Sequence, residues 1–192
     1  MKKGLLIVLS GPSGVGKGTV RRQIFKDKSL NLAYSISMTT RPPRAKEIEG
    51  VDYFFVSKEE FLKGIEEDKF LEHATFVGNY YGTPKDYVEN LRKKGKNVFL
   101  EIEVEGAKQV LSKYKDDDGV VSIFLLPPSL DELEKRIRGR RSEEEEIIQE
   151  RLNKAKREIN LKSNYQYNVL NDNIYRASDE IRDIIKAKLN SR

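Results

Sequence analysis

The chain has no cysteine, which excludes disulfides, thiol nucleophiles and zinc-finger ligand sets. It has one histidine, His73, with no partner motif that would make it a base or a metal ligand, so it reads as a packing or rim residue. No apolar run approaches the ~20 residues of a membrane span. Lys2 and Lys3 precede an apolar stretch, as in a signal peptide, but Leu5–Leu9 ends after five residues and reads as a buried strand. Charge of one sign is also missing. Lys and Arg number 36 against 31 Asp and Glu, and the two signs are interleaved. The net +5 therefore points to local anion sites rather than a surface that coats nucleic acid. These absences fit a cytoplasmic protein with no membrane and no nucleic-acid partner. The 192 residues, 38% hydrophobic and 35% charged, suffice for one core carrying small inserted lobes.

What is present centres on Gly11-Pro12-Ser13-Gly14-Val15-Gly16-Lys17-Gly18-Thr19. An apolar strand precedes it and a helical pattern (Val20, Ile24, Phe25) follows, the context a phosphate-binding loop needs. Glycines let the backbone curl so that its N–H groups face an anion, the helix adds its positive end, and Lys17 supplies a point charge. The usual Ser or Thr after the lysine, whose hydroxyl binds magnesium, is Gly18; the hydroxyl comes one place later, at Thr19. A turn that binds nothing would not explain a lysine at this offset after a strand.

Further along, Ala33–Ser37 reads as a short strand, and Thr39-Thr40-Arg41-Pro42-Pro43-Arg44 as an extended basic loop. Val51–Val56 reads as a strand, Ser57 with Glu60 as the capping box of a short helix, and Phe70–Tyr81 as strands turning at Gly78-Asn79. Thr83-Pro84 opens another helix. Residues 34–84 thus form a mostly-β lobe inside an α/β chain. Asn97–Leu100, ending in Glu101-Ile102-Glu103, and Val120–Leu126 are continuous apolar strands. Alternating with helices, they imply a parallel sheet covered on both faces. Ser129 with Glu132, and Ser142 with Glu145, cap two later helices that flank an arginine-rich hinge. Tyr167–Leu170 is a short strand before a last helix bearing Ile181, Ile184, Ile185 and Leu189.

Ligands in such sheets bind beyond the carboxyl ends of the strands. That places Glu101 and Glu103 beside the phosphate loop, where carboxylates handle magnesium; alone they would read as a solvated strand end. Arg41 and Arg44 with Tyr53 and Tyr81 make a second anion site, since guanidinium forks suit phosphate. Arg136, Arg138, Arg140, Arg141 and Arg151 read either as a salt-bridged helix surface facing Glu143–Glu146 or as a mobile lid supplying charge to a transferring phosphoryl group.

Over essentially its whole length the sequence resembles the guanylate kinase family. The loop is similar to that family's ATP-binding loop. The run Thr39–Arg44 with Glu47, Gly50, Tyr53 and Phe55 resembles its GMP-site signature, and Leu71–Ala74, Gly78–Thr83 and Arg136–Arg140 with Arg151 also match. The resemblance implies a P-loop nucleoside monophosphate kinase fold: a core of about 1–33, 86–126 and 157–192, a GMP-binding lobe of about 34–85, and a short helical lid of about 127–156. It implies that Gly11–Thr19 and Asn171 bind ATP, and that Ser37, Glu72 and Thr83 read the guanine edge. Arg41, Arg44, Tyr53 and Tyr81 would hold the GMP phosphate, with Glu103 also at the GMP site. Lys17, Arg136, Arg140 and Arg151 would carry catalysis, and Mg2+ would be held through Thr19 and Glu101, directly or by water. Thr83 is equally well placed as a helix N-cap. Relatives often have Asp-Ile-Asp where this chain has Glu101-Ile102-Glu103. The expected reaction is ATP + GMP giving ADP + GDP, by a monomer or homodimer. Two other readings remain: a kinase for another small phosphate acceptor, and a non-catalytic interaction module.

Overall fold

The computed structural model describes residues 2–139 and 144–192. Its centre is β1 (Leu6–Ser10), fully buried along its length. β1 is flanked by β7 (Asn97–Glu101) and β8 (Val120–Leu126), then by β2 (Leu32–Tyr34) and β9 (Tyr167–Leu170) at the edges, all parallel. The unbroken apolar run follows from burial on both faces. Leu5, Ile7 and Leu9 pack with Val20 and Ile24 of α1 (Lys17–Ile24) and with Ile181 and Ile185 of α7 (Ile174–Asn190). Leu6 and Val8 pack on the opposite side with Val88 of α3 (Lys85–Lys93) and with Val104, Ala107 and Val110 of α4 (Val104–Lys113).

A second, four-stranded sheet forms the lobe. Its order is β4 (Tyr53–Phe55), β3 (Ser37–Thr39), β6 (Asn79–Pro84) and β5 (Phe70–Phe76), backed by α2 (Lys58–Glu66). Phe61 of α2 stacks on Phe70 with ring centroids 4.3 Å apart, which seats the helix on the sheet. Two further helices, α5 (Leu130–Arg138) and α6 (Glu145–Ile159), pack on each other and on the first core cluster through Leu133, Ile137, Ile148 and Leu152.

The structure revises several boundaries. The single strand expected over 33–37 is two strands in two sheets. The Ser35 N–H still bonds Phe99 of the core, after which the chain crosses to the lobe. The lobe hairpin turns at Val77-Gly78 rather than Gly78-Asn79, with both residues at positive φ. Ser57 caps α2 and Ser129 caps α5, each accepting from the N–H three residues on at 3.1 Å. Thr83 does not cap α3. That helix has Pro84 at its N-cap, a side chain with no acceptor to offer, and the Thr83 hydroxyl donates to Glu72 instead. Ser142, expected to cap α6, lies outside the described residues. No described helix is long and apolar enough to cross a membrane.

Candidate active site

The chain emerging from β1 forms a tight loop into α1. Gly16 stands at φ 103°, a left-handed conformation, and a Cβ there would lie 2.7 Å from Asn171 Nδ2, so only glycine fits. The loop is clamped from the far end of the chain. The Val15 carbonyl accepts from Asn171 Nδ2 at 2.9 Å and from Arg136 Nη1 at 3.2 Å, and Arg136 Nη2 reaches the Asn171 carbonyl at 3.3 Å. The Asn171 Oδ1 is buried with no hydrogen-bond partner among the described residues. From α6, Arg151 Nη2 donates to Ser13 Oγ at 2.9 Å. Arg136, Arg151 and Asn171 therefore all converge on the loop; Arg140 and Arg141 lie outside the described residues.

Lys17 opens α1 and turns back on its own loop, donating to the Gly11 carbonyl at 2.6 Å and the Pro12 carbonyl at 3.3 Å. Burial lowers its pKa, while Glu103, Glu101 and Glu158 act in the opposite direction. Glu101 ends β7 level with Leu9, and its Oε2 accepts from Arg21 Nε of α1 at 2.7 Å. Its Oε1 lies 3.5 Å from where a Cβ on Gly18 would stand, so this carboxylate covers the loop where a hydroxyl side chain is missing. The Thr19 hydroxyl accepts from Arg22 Nη2 at 3.1 Å on the exposed side of α1. Glu103 precedes α4 and meets Lys154 of α6 at 3.3 Å; Lys154 also lies 3.6 Å from Glu158.

The lobe presents a buried acid. Glu72 of β5 is 8% exposed, and its Oε1 accepts from the Thr83 hydroxyl on the paired strand β6 at 2.6 Å. Burial raises its pKa, against the pull of the Thr83 bonds. Gly106 of α4 leaves the room this carboxylate needs: a Cβ there would lie 2.7 Å from Glu72 Oε2. On the neighbouring strands, Ser37 pairs with Tyr53 and Thr39 with Tyr81. The Tyr53 and Tyr81 rings meet edge to face at 6.2 Å, and the Arg41 guanidinium lies 5.5 Å from the Tyr53 ring centre. Arg44 is exposed on the same loop. The loop after β1 thus offers a backbone anion cradle with a lysine, and the lobe offers arginines, tyrosines and a buried carboxylate.

The guanylate kinase family model matches residues 3–188. The chain belongs to the guanylate kinase family. Guanylate kinases of Mycoplasma capricolum and Mycoplasma mycoides are 58% and 57% identical to it over 185 residues, covering 96% of the chain and 61% of each relative. The chain thus spans about 61% of the length of these curated relatives. The crystal structure of guanylate kinase from Anaplasma phagocytophilum superposes with a TM-score of 0.73 at 35% identity, covering 97% of this chain and 87% of that one. A shikimate kinase from Bacteroides thetaiotaomicron shares the fold alone, with a TM-score of 0.51 at 14% identity.

Some residues of this guanylate kinase-family site carry no signal in the sequence. Arg21 and Glu101 pair across 80 positions, and only strand register brings them together. Gln109 bonds both the N–H and the carbonyl of His73 at 3.1 Å, tying lobe strand β5 to α4. Magnesium, which the family implies, is compatible with the donor set. Among the described residues no three His, Cys, Asp or Glu side chains gather to hold a metal unaided. Magnesium usually takes one or two carboxylates and completes its shell with phosphate and water. Glu101 offers a carboxylate beside Gly18, with its Oε2 held by Arg21.

Proposed function

We propose that this chain transfers the γ-phosphoryl group of ATP to GMP, giving ADP and GDP. The observation that carries the reading is Glu72. A buried carboxylate is costly to keep unless a ligand uses it. Guanine offers N1–H and a 2-amino group side by side, two donors that adenine lacks on that edge. Ser37 and Thr83 stand on the adjoining strands, and Arg41, Arg44, Tyr53 and Tyr81 are the donors for the acceptor's phosphate. Glu103 borders the same site.

At the donor end, the backbone of Gly11–Thr19 cradles the ATP phosphates. Lys17 leaves the Gly11 and Pro12 carbonyls to meet them. The unpaired Asn171 Oδ1 accepts from the adenine amino group. The acceptor oxygen of GMP is already anionic, so no general base is required, and the work lies in positioning and charge neutralisation. Arg136 and Arg151, with Arg140 of the hinge, neutralise charge on the transferring group. The Glu101 carboxylate and the Thr19 hydroxyl would hold magnesium, directly or through water, and the ion would supply further positive charge at the phosphates. Closing the lobe (about 34–85) and the lid (about 127–156) excludes water and suppresses idle hydrolysis.

A coupled ADP-release assay with GMP, AMP, UMP and IMP as acceptors tests this. GMP is expected to be strongly preferred, with IMP, lacking only the 2-amino group, second. Equal rates for the four would overturn the reading. GMP binding without ADP formation in the presence of magnesium would make the chain an interaction module.

A further inference from the structure

Glu47 lies between β3 and β4 and, among the described residues, makes no hydrogen bond to Tyr53 or Tyr81. Its carboxylate instead grips the end of Arg41: Nη2 donates to Oε1 at 2.8 Å and Nη1 to Oε2 at 3.0 Å. The same Oε2 accepts the Arg44 N–H at 2.8 Å, and the Glu47 N–H returns to the Arg44 carbonyl at 3.0 Å. One carboxylate therefore sets one arginine's side chain and the other's backbone. The pair is shielded, with side chains only 15% and 18% exposed.

Counting donors shows what is left. A guanidinium has five N–H groups in a rigid fork. Arg41 Nη1 spends its two on Glu47 and on the Pro42 carbonyl at 2.7 Å, and Nη2 spends one on Glu47. The remaining two, on Nε and Nη2, lie side by side on the edge turned away from Glu47, and the Tyr81 side chain is a further hydrogen-bond partner of the same guanidinium. That edge matches two oxygens of a phosphate. The Tyr53 and Phe55 rings, 5.5 and 6.0 Å from the guanidinium carbon, hold the plane of the group. Without Glu47, ordering this long side chain would fall on the ligand's own binding energy.

We propose that Glu47 is a positioning residue: it presents the Nε–Nη2 edge of Arg41 to the acceptor's phosphate and has no contact of its own with the substrate. The proposal rests on the reading that this site takes GMP. The opposite role, an internal counter-ion that competes with phosphate for Arg41, predicts the opposite sign. Calorimetry on wild type, Glu47→Gln, Arg41→Met and the double variant, with GMP, guanosine and ADP as ligands, separates them. The expected result is a loss of GMP affinity in Glu47→Gln of about tenfold, the size of one charge-assisted hydrogen bond. Guanosine and ADP affinities should be unchanged, and the double variant no worse than Arg41→Met. In turnover, KM for GMP should rise more than kcat falls. Unchanged or tighter GMP binding, an equal loss for guanosine, or additive losses in the double variant would each overturn the proposal. Failure of wild type to bind GMP would instead overturn the acceptor assignment beneath it.

Discussion

Glu72 shows how a single residue is set against the stability of its fold. Burial raises its pKa, so the unfolded chain gives up this proton at lower pH than the folded one. Its stabilising effect is thus complete below the unfolded value near 4.5 and is lost as pH rises through the folded value. Glu72→Gln keeps the shape and the oxygen that Thr83 bonds, but removes the buried charge. Urea unfolding should show the variant gaining on wild type between pH 4.5 and 7.5, while its KM for GMP rises. A variant less stable than wild type at pH 7.5 would mean that the carboxylate is already compensated. Glu72 is legible in the sequence because the residues around it match a family pattern. Glu47 stands in such a pattern too, yet its partners depend on how the loop folds back on itself, and no spacing announces that.

At the scale of elements, strands and helices were legible where periodicity or burial was continuous, as in β1, β8 and α7. Junctions were not. The break between β2 and β3 depends on which sheet offers the next hydrogen-bond partner, which a local pattern does not record. The lobe hairpin is a case in point. Val77 and Gly78 sit at φ 47° and 74°, a type I′ geometry that favours Asn-Gly and strains a β-branched residue. Val77 is 79% exposed, so it has no packing to lose. Val77→Asn should raise stability by about 1 kcal/mol, or ~2–4 °C in Tm for a chain of this size. A thermal melt decides it; an unchanged or lower Tm would mean that the valine is not strained.

On the scale of the whole molecule, the end of the sheet opposite the site is held by Arg92. Fully buried, it donates to the Gly4 carbonyl at 3.0 Å and pairs with Glu89 and Asp117, each at 2.9 Å. It ties the entry to β1, α3 and the turn before β8 into one unit. Arg92→Leu leaves Glu89 and Asp117 with Lys3 as their remaining cationic partner and the Gly4 carbonyl without its donor, and should cost about 3 kcal/mol. Low-temperature kcat/KM should hold, because the site lies at the other end of the strands. A loss of activity with unchanged Tm would refute that separation. The sequence alone determined the alternation of buried strands and helices, the glycine-rich turn Gly11–Thr19 after β1 and the basic run Thr39–Arg44. Each is a local pattern of size, polarity and backbone freedom, readable within a short window. Only the tertiary structure decided that Arg136 and Asn171 clamp the loop, that Arg21 holds Glu101, and that Thr83 serves Glu72 rather than a helix end. Those pairings join residues far apart in the chain, and register and packing, not neighbouring sequence, bring their atoms within hydrogen-bond reach.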